Sequence, residues 1–146
     1  MRLNIDCVRD IMLWAESITT PTKPAVYVDT DMVSSLSAMY LSESEMPVPD
    51  EEQKNLLNKY NNEQLVYHLQ YCVDAALLKP ADISSAERIV IKNLTPLGHD
   101  FIANIRHDAV FEKTKAVMHN LGVESLKAAV QVAASVTSEI IKATIF

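Results

Sequence analysis

The chain has 146 residues, a length that favours one domain with at most one appended element. Apolar residues make up 49% and aromatic residues only 6%, so the core is expected to consist mainly of aliphatic side chains. Two glycines, Gly98 and Gly122, are too few for a glycine-rich phosphate loop, which excludes nucleotide-binding proteins of the Walker and dinucleotide-binding types.

The net charge is −6, and the acidic residues are unevenly distributed along the chain. The segment Asp29–Glu52 holds seven of the 19 acidic residues and no base, leaving 12 acids elsewhere against all 13 bases. Such a segment is read either as a solvated surface or as a surface for a basic partner. The overall acidity weakens any expectation of strong nonspecific nucleic-acid binding, since that affinity comes from Lys and Arg neutralising phosphates.

The two cysteines, Cys7 and Cys72, each lie within an apolar helical pattern. With no secretory signal at the N-terminus, both are expected to be buried free thiols in a reducing cytoplasm. No apolar stretch approaches the roughly 20 residues of a membrane-spanning helix, so no membrane partner is expected.

The N-terminal third alternates helical patterns with proline-rich breaks. Apolar residues at three- and four-residue steps predict a helix from about Asn4 or Asp6 to Ile18, which Pro21 and Pro24 end. The further elements expected before residue 50 are a strand at Ala25–Val28, a weakly helical segment at Met32–Leu41 and a break at Met46–Pro49.

The segment Asp50–Asn93 predicts a helix, a turn, a second helix and a β-hairpin. Asp50 and the two acids after it are typical of a helix N-terminus, and Asn61 is expected to cap a longer helix over Glu63–Leu77. The β-rich run Arg88–Lys92 follows a polar tip. This order is that of a winged helix-turn-helix, in which the second helix would be the recognition helix.

Three helices are expected after the hairpin. Thr95 and Pro96 read as the N-cap and first residue of one, and Asp108 is expected to cap the next, which Gly122 ends. The last helix, about Glu124–Ala143, is a candidate oligomerisation helix. Its candidate contact stripe is Leu126, Val130, Ala133, Thr137, Ile140 and Ile141.

The fold class expected from these elements is mainly α with a small β-hairpin (α+β). A winged helix-turn-helix body is expected over residues 1–106, with an acidic insertion at about 29–52. Residues 107–146 are expected to form a C-terminal helical extension that joins two copies into a homodimer.

Several segments together resemble a known family. They are Asn4–Asp10, Leu94–Phe101 with Asn104–Arg106, Val110–Lys115 and Gly122–Ile141, and they are similar to the phage- and prophage-borne domain-of-unknown-function family twenty-five thirteen. The resemblance covers about residues 1–18 and 62–146; the acidic segment does not match, and Phe111 stands where a tryptophan is common. It implies a winged-helix-like body, a phage or prophage origin and a place in the bacterial host's cytoplasm, but no established activity.

Neither a metal site nor a catalytic site is expected. His68 and Cys72 are spaced four residues apart on one predicted helix, but the chain has no second pair of ligands at a matching spacing for zinc. Serine is not presented by any Gly-x-Ser-x-Gly turn. The chain is therefore expected to be a non-enzymatic protein without cofactors.

The candidate binding surface is the predicted recognition helix together with the wing. Its members are Asn62, Gln64, Tyr67, His68, Tyr71, Lys79, Arg88 and Lys92, with Lys54 and Lys59 as further support. Glutamine can read adenine, and wing cations can hold phosphates, so the first hypothesis is a DNA-binding protein that modulates transcription. The second hypothesis is a protein-binding module, because tyrosine is enriched at protein interfaces and the helix carries no Lys or Arg.

Overall fold

The structure is a computed structural model that describes residues 1–37, 46–81, 85 and 87–145. Within these residues the chain forms ten elements, mainly helical. They are α1 (Ile5–Ile18), β1 (Ala25–Val28), α2 (Thr30–Leu36), α3 (Glu51–Leu57), α4 (Asn62–Asp74), β2 (Leu78–Pro80), β3 (Arg88–Leu94), α5 (Pro96–Ile105), α6 (Asp108–Leu121) and α7 (Leu126–Ile145). The expected class, mainly α with a small β part, is confirmed.

Helix α1 is the central helix of the core, and its predicted bounds are confirmed. The Asn4 side chain accepts hydrogen bonds from the backbone N–H groups of Asp6 and Cys7, which satisfies two of the free donors at the helix start. Apolar side chains on the helix are buried against α3, α4, α5 and β3.

The sheet has three antiparallel strands in the order β1-β3-β2. The expected hairpin of β2 and β3 is present, and the strand predicted at Ala25–Val28 pairs with β3 through Ala25–Ile91 and Val28–Arg88. A register shift between Lys79 and Pro80 leaves Lys92 without a Cα partner on β2. The outer edge of β1 hydrogen-bonds to a side chain of α3.

Gln53 of α3 is fully buried and hydrogen-bonds to the edge of β1. Its Oε1 accepts from the Val28 N–H at 3.0 Å, and its Nε2 donates to the Val28 carbonyl at 2.6 Å. The amide therefore replaces the partner that an edge residue would otherwise lack. Helix α2, which follows β1, begins at Thr30, two residues before the predicted Met32–Leu41 segment; residues 38–41 of that segment lie outside the described residues.

Helix α4 begins as predicted and ends earlier. Asn61 is the N-cap in a capping box with Gln64. The Asn61 side chain accepts a hydrogen bond from the Gln64 backbone N–H, and the Gln64 side chain accepts one from the Asn61 backbone N–H. The helix stops at Asp74 rather than Leu77, because Ala76 adopts a left-handed conformation with φ of 61° and the Leu77 N–H turns back to the Cys72 carbonyl. The chain then reverses into β2.

The C-terminal helices α5 and α6 begin or end at the predicted capping residues, with one correction. Thr95 caps α5 with Pro96 as first residue, and Gly122 ends α6 with φ of 69°. Asp108 is not the cap of α6: His107 occupies that position, and the Asp108 carboxylate binds Arg9 at 2.9 Å instead. A single core cluster joins residues of α1 and the sheet with residues of α6 and α7, so the C-terminal helices pack directly on the preceding body.

Candidate interaction surface

The exposed face of α4 is more acidic than the predicted recognition face. Four residues spaced four, three and four apart are exposed along it, namely Glu63, Tyr67, Gln70 and Asp74. Glu63, Gln70 and Asp74 were not identified from the sequence. Their helical spacing from Tyr67 indicated that they share its side of the helix. The outward surface of the helix therefore carries two carboxylates, an amide and a tyrosine that is 40% exposed.

The prediction that Asn62 and His68 contact a partner at the surface is wrong. Both side chains are buried, with 7% and 1% of their surface exposed. The Asn62 amide accepts a hydrogen bond from the Tyr27 hydroxyl at 2.7 Å and donates to Thr30 Oγ1 at 2.7 Å. It thus joins α4 to β1 and α2. Its polar groups are used inside the protein and are not available to DNA.

His68 joins α4 to the start of α1. Its Nε2 accepts a hydrogen bond from the backbone N–H of Asn4 at 2.8 Å, and its Nδ1 lies 2.8 Å from the Gln64 carbonyl oxygen. These partners require a neutral imidazole with the proton on Nδ1. Both ring nitrogens therefore have hydrogen-bond partners within the chain. These bonds explain the position of His68 four residues before Cys72 without a metal ligand role.

Tyr67 and Tyr71 lie edge to face, with ring centroids 6.1 Å apart, and separate two surface grooves. The Tyr67 groove lies between α4 and the start of α2 and encloses about 620 Å³. Its lining residues are Met1, Asp29, Asp31, Met32, Asn62, Glu63, Val66, Tyr67 and Gln70. Three carboxylates and an apolar floor thus share one groove, and no lysine or arginine is among the described residues that line it.

The Tyr71 groove lies on the other side of the tyrosine pair, between the end of α4, the start of α5 and α7. It encloses about 590 Å³. Its lining residues are Tyr71, Asp74, Ala75, Ala76, Leu97, Ser125, Lys127, Val130 and Gln131. Leu97 is 44% exposed here, so this groove presents mainly apolar surface to solvent.

Gln64, which was predicted to face a partner, is half-buried, and its side chain forms part of the capping box.

The predicted wing cations are exposed on the hairpin. Lys79, Arg88 and Lys92 form no ion pair with any residue that the structure describes. The two supporting lysines differ, because Lys54 binds Glu51 at 3.0 Å and Lys59 binds Asp10 at 3.6 Å. Of the predicted binding cations, only those of the hairpin are therefore without an ion pair among the described residues, and none of them lines the Tyr67 groove.

The predicted oligomerisation stripe on α7 is divided by burial. Leu126 and Ala133 are fully buried against the chain's own α5 and α6, so they are not available to a second copy. Val130 and Thr137 are half-buried, whereas Ile140 and Ile141 are 41% and 50% exposed. The predicted stripe is wrong at Leu126 and Ala133. The sequence shows which residues share a face of the helix, but it does not show which surface covers that face.

The two thiols are buried and free, as predicted. Burial raises the pKa of Cys72 to about 12, with a smaller contribution from the nearby Cys7, and burial with a contribution from Asp10 raises that of Cys7 to about 12. Both are therefore protonated, poorly nucleophilic groups of the core at neutral pH.

Comparison with known families assigns the chain to a class of proteins defined by sequence rather than by activity. The family model described as "Hypothetical protein (DUF2513)" matches residues 2–124. The chain therefore belongs to this uncharacterised domain family, the one that its motifs resemble. The extent expected from the motifs is corrected: the matched range includes the acidic segment 29–52 and ends before helix α7. Searches of the curated proteins and of the solved structures find no match. Among the described helices, none has the length and apolar character needed to cross a bilayer.

Proposed function

We propose that this chain is a non-enzymatic protein-binding module that holds a basic, partly apolar segment of another protein in the Tyr67 groove. The observation that carries the proposal is the composition of that groove: Asp29, Asp31 and Glu63 surround the apolar side chains of Met32 and Val66. Carboxylates attract Lys and Arg side chains, while the apolar floor buries their stems or a neighbouring apolar residue.

The aromatic group in the groove supports a protein partner. Tyr67 presents a large, stiff surface with a hydroxyl at its tip, and such residues often dominate the binding energy of protein interfaces. A phosphate backbone is a poor partner here because three carboxylates would repel it. The groove thus favours the second of the two sequence hypotheses.

The wider biological context is part of the same proposal. The order α1, β1, α3, α4, β2, β3 and the strand order β1-β3-β2 support a winged helix-turn-helix body with α2 inserted after β1. The sequence resemblance supports a phage or prophage origin, and the module then acts in the bacterial cytoplasm on a host protein. Its role is that of an adaptor or inhibitor.

A defined peptide tests the Tyr67 groove directly. The probe is a fluorescein-labelled peptide of alternating arginine and leucine, and its binding is measured by fluorescence anisotropy over a range of salt concentrations. Glu63→Lys is expected to weaken binding by about tenfold or more, because the substitution places a like charge beside the bound cation. Binding by the wild type is expected to weaken as salt rises.

The matched control is Asp100→Lys, the same change of charge at an exposed position of α5 outside the groove. We expect it to alter the affinity by less than about threefold. Equal losses for the two variants would mean that the peptide responds to net charge alone, and the proposed site would then be wrong. An Asp31→Lys variant gives an independent second measurement in the same groove.

DNA binding is the second candidate function, and the hairpin is what favours it. Lys79, Arg88 and Lys92 are exposed and form no ion pair with the described residues, as cations that hold phosphates must be. In this arrangement α4 would enter the major groove beside the wing. The acidic residues Glu63 and Asp74 on the exposed face of α4 oppose it.

A salt titration with a random-sequence duplex separates the two candidates. If the wing binds DNA, the double variant Arg88→Glu/Lys92→Glu lowers the slope of log affinity against log salt by about 2, since each phosphate contact contributes about 0.9. The control Lys23→Glu/Lys113→Glu carries the same charge change at exposed positions outside the hairpin. If no duplex binding is detected at low salt, DNA binding is excluded. If the duplex binds tightly and the peptide does not bind in the Tyr67 groove, the protein-binding module is excluded.

A further inference from the structure

The C-terminal part of α7 extends beyond the body of the protein. Val136 is the last buried residue of the helix, and all eight residues of 138–145 are exposed. At 1.5 Å per residue this extension is about 12 Å long. It carries Ile140, Ile141 and Ile145, which are 41%, 50% and 67% exposed. An isolated helix of this length is only marginally stable in water, so its apolar side chains need a covering surface.

Two of the exposed isoleucines, Ile141 and Ile145, belong to a stripe that starts in the Tyr71 groove. Val130 lines the groove, and Ala134, Thr137, Ile141 and Ile145 follow it at steps of four, three, four and four residues. These positions lie on one side of a helix. The groove and the exposed end of α7 are therefore the two ends of one continuous surface, which differs from the predicted stripe because Leu126 and Ala133 face the core.

We propose that this surface binds a second copy of the chain, with the two α7 helices packed antiparallel about a two-fold axis. In that arrangement Ile141 of each copy lies against the Tyr71 groove of the other, because an antiparallel pair brings the end of one helix to the start of its partner. A two-fold interface uses the same patch on both copies and so must be complementary to itself. The stripe meets that requirement, since it contains both the apolar groove and the apolar end that fills it.

Charge and side-chain size support the same occupant. The groove contains one acid, Asp74, and one base, Lys127. The exposed end of α7 carries one acid, Glu139, and one base, Lys142, which forms no ion pair with any described residue. The antiparallel arrangement brings Lys142 of one copy toward Asp74 of the other. At the middle of the helix the exposed residues on and beside the stripe, Ala134 and Ser138, are small, which permits close approach of two helix backbones.

Two adjacent residues of α7 provide a matched pair of variants. Ala134 lies on the stripe and Ser135 on the other side of the helix, and both are exposed. The dimer dissociation constant of the full chain is measured by sedimentation equilibrium, with circular dichroism to verify helix content. Ala134→Glu is expected to raise it more than about tenfold, because the carboxylate is buried against an apolar surface. Ser135→Glu is expected to change it by less than about threefold.

A charge exchange tests the orientation of the two helices. Asp74→Lys and Lys142→Asp are each expected to weaken the dimer, and the double variant is expected to recover most of the loss. A wild-type chain that stays monomeric at the highest attainable concentration would overturn the proposal. Equal effects of Ala134→Glu and Ser135→Glu, or a double variant weaker than both single ones, would overturn the antiparallel stripe. None of these measurements depends on the peptide experiments.

Discussion

The imidazole of His68 accepts a hydrogen bond from the backbone N–H of Asn4, 2.8 Å away, and so joins the middle of α4 to the residue that caps α1. Asn4 also holds the N–H groups of Asp6 and Cys7 with its side chain. One buried ring therefore fixes the position of the residue that begins the central helix of the core.

His68→Phe is expected to lower the free energy of unfolding by about 1–3 kcal/mol, because the Asn4 N–H loses its acceptor in a largely buried position. His119→Phe is the control, since that side chain is exposed near the end of α6. Urea denaturation of both variants measures the difference. An unchanged midpoint for His68→Phe would show that water replaces the ring as the acceptor.

The two glycines are required for different reasons, and alanine substitutions separate them. A Cβ atom on Gly98 would lie 2.0 Å from the Leu77 carbonyl oxygen, so the backbone between α4 and β2 must shift. We expect Gly98→Ala to cost about 1–3 kcal/mol or more. Gly122→Ala meets no neighbouring atom but adopts φ of 69°, a strain of about 1 kcal/mol. Thermal unfolding should rank the two variants in this order, and the opposite order would contradict the close contact.

Stability is expected to fall in alkaline solution because of the buried thiols. Burial, with a smaller effect of Cys7, raises the pKa of Cys72 from 9.0 to about 12 in the folded chain. Between these values only the unfolded chain ionises, so the stabilisation is complete below pH 9 and declines as the pH rises toward 12. At pH 10 the loss from this one thiol is on the order of 1 kcal/mol.

Urea denaturation at several pH values from neutral to 10 tests this expectation, with Cys72→Ala as the comparison. The variant loses packing at every pH, so the quantity to compare is the slope of the unfolding free energy against pH. That slope should be shallower in Cys72→Ala. Parallel slopes would mean that Cys72 ionises equally in both states.

The two tyrosines should have separate roles, because they line different grooves. Tyr67→Ala is expected to weaken binding of the arginine–leucine peptide by about tenfold or more and to leave the dimer unchanged. Tyr71→Ala is expected to weaken the dimer and to leave peptide binding nearly unchanged. Anisotropy and sedimentation on both variants measure this pair of effects. Loss of both activities in either variant would mean that the tyrosines form one site rather than two.

The sequence identified both tyrosines of α4, but it missed Glu63, Gln70 and Asp74 and did not determine the orientation of the helix. Tyr67, Tyr71 and the wing cations lie at the surface, and Asn62 and His68 do not. Spacing on a helix shows which residues share a side, and it shows this to within about one position. The exposed centre is displaced toward Glu63 and Gln70 because β1, α2 and the N-terminal segment cover the edges of the helix.

The sequence by itself determined where several of the helices begin or end, because those signals are local. Asp50 and Thr95 each accept a hydrogen bond from a backbone N–H of the helix that they cap, and Gly122 ends α6 in a left-handed conformation. Only the tertiary structure decided that β1 pairs with β3, that His68 accepts the Asn4 N–H and that the acids of α2 and α4 share a groove. Those relationships join residues far apart in the chain, and no local pattern records which surfaces pack together.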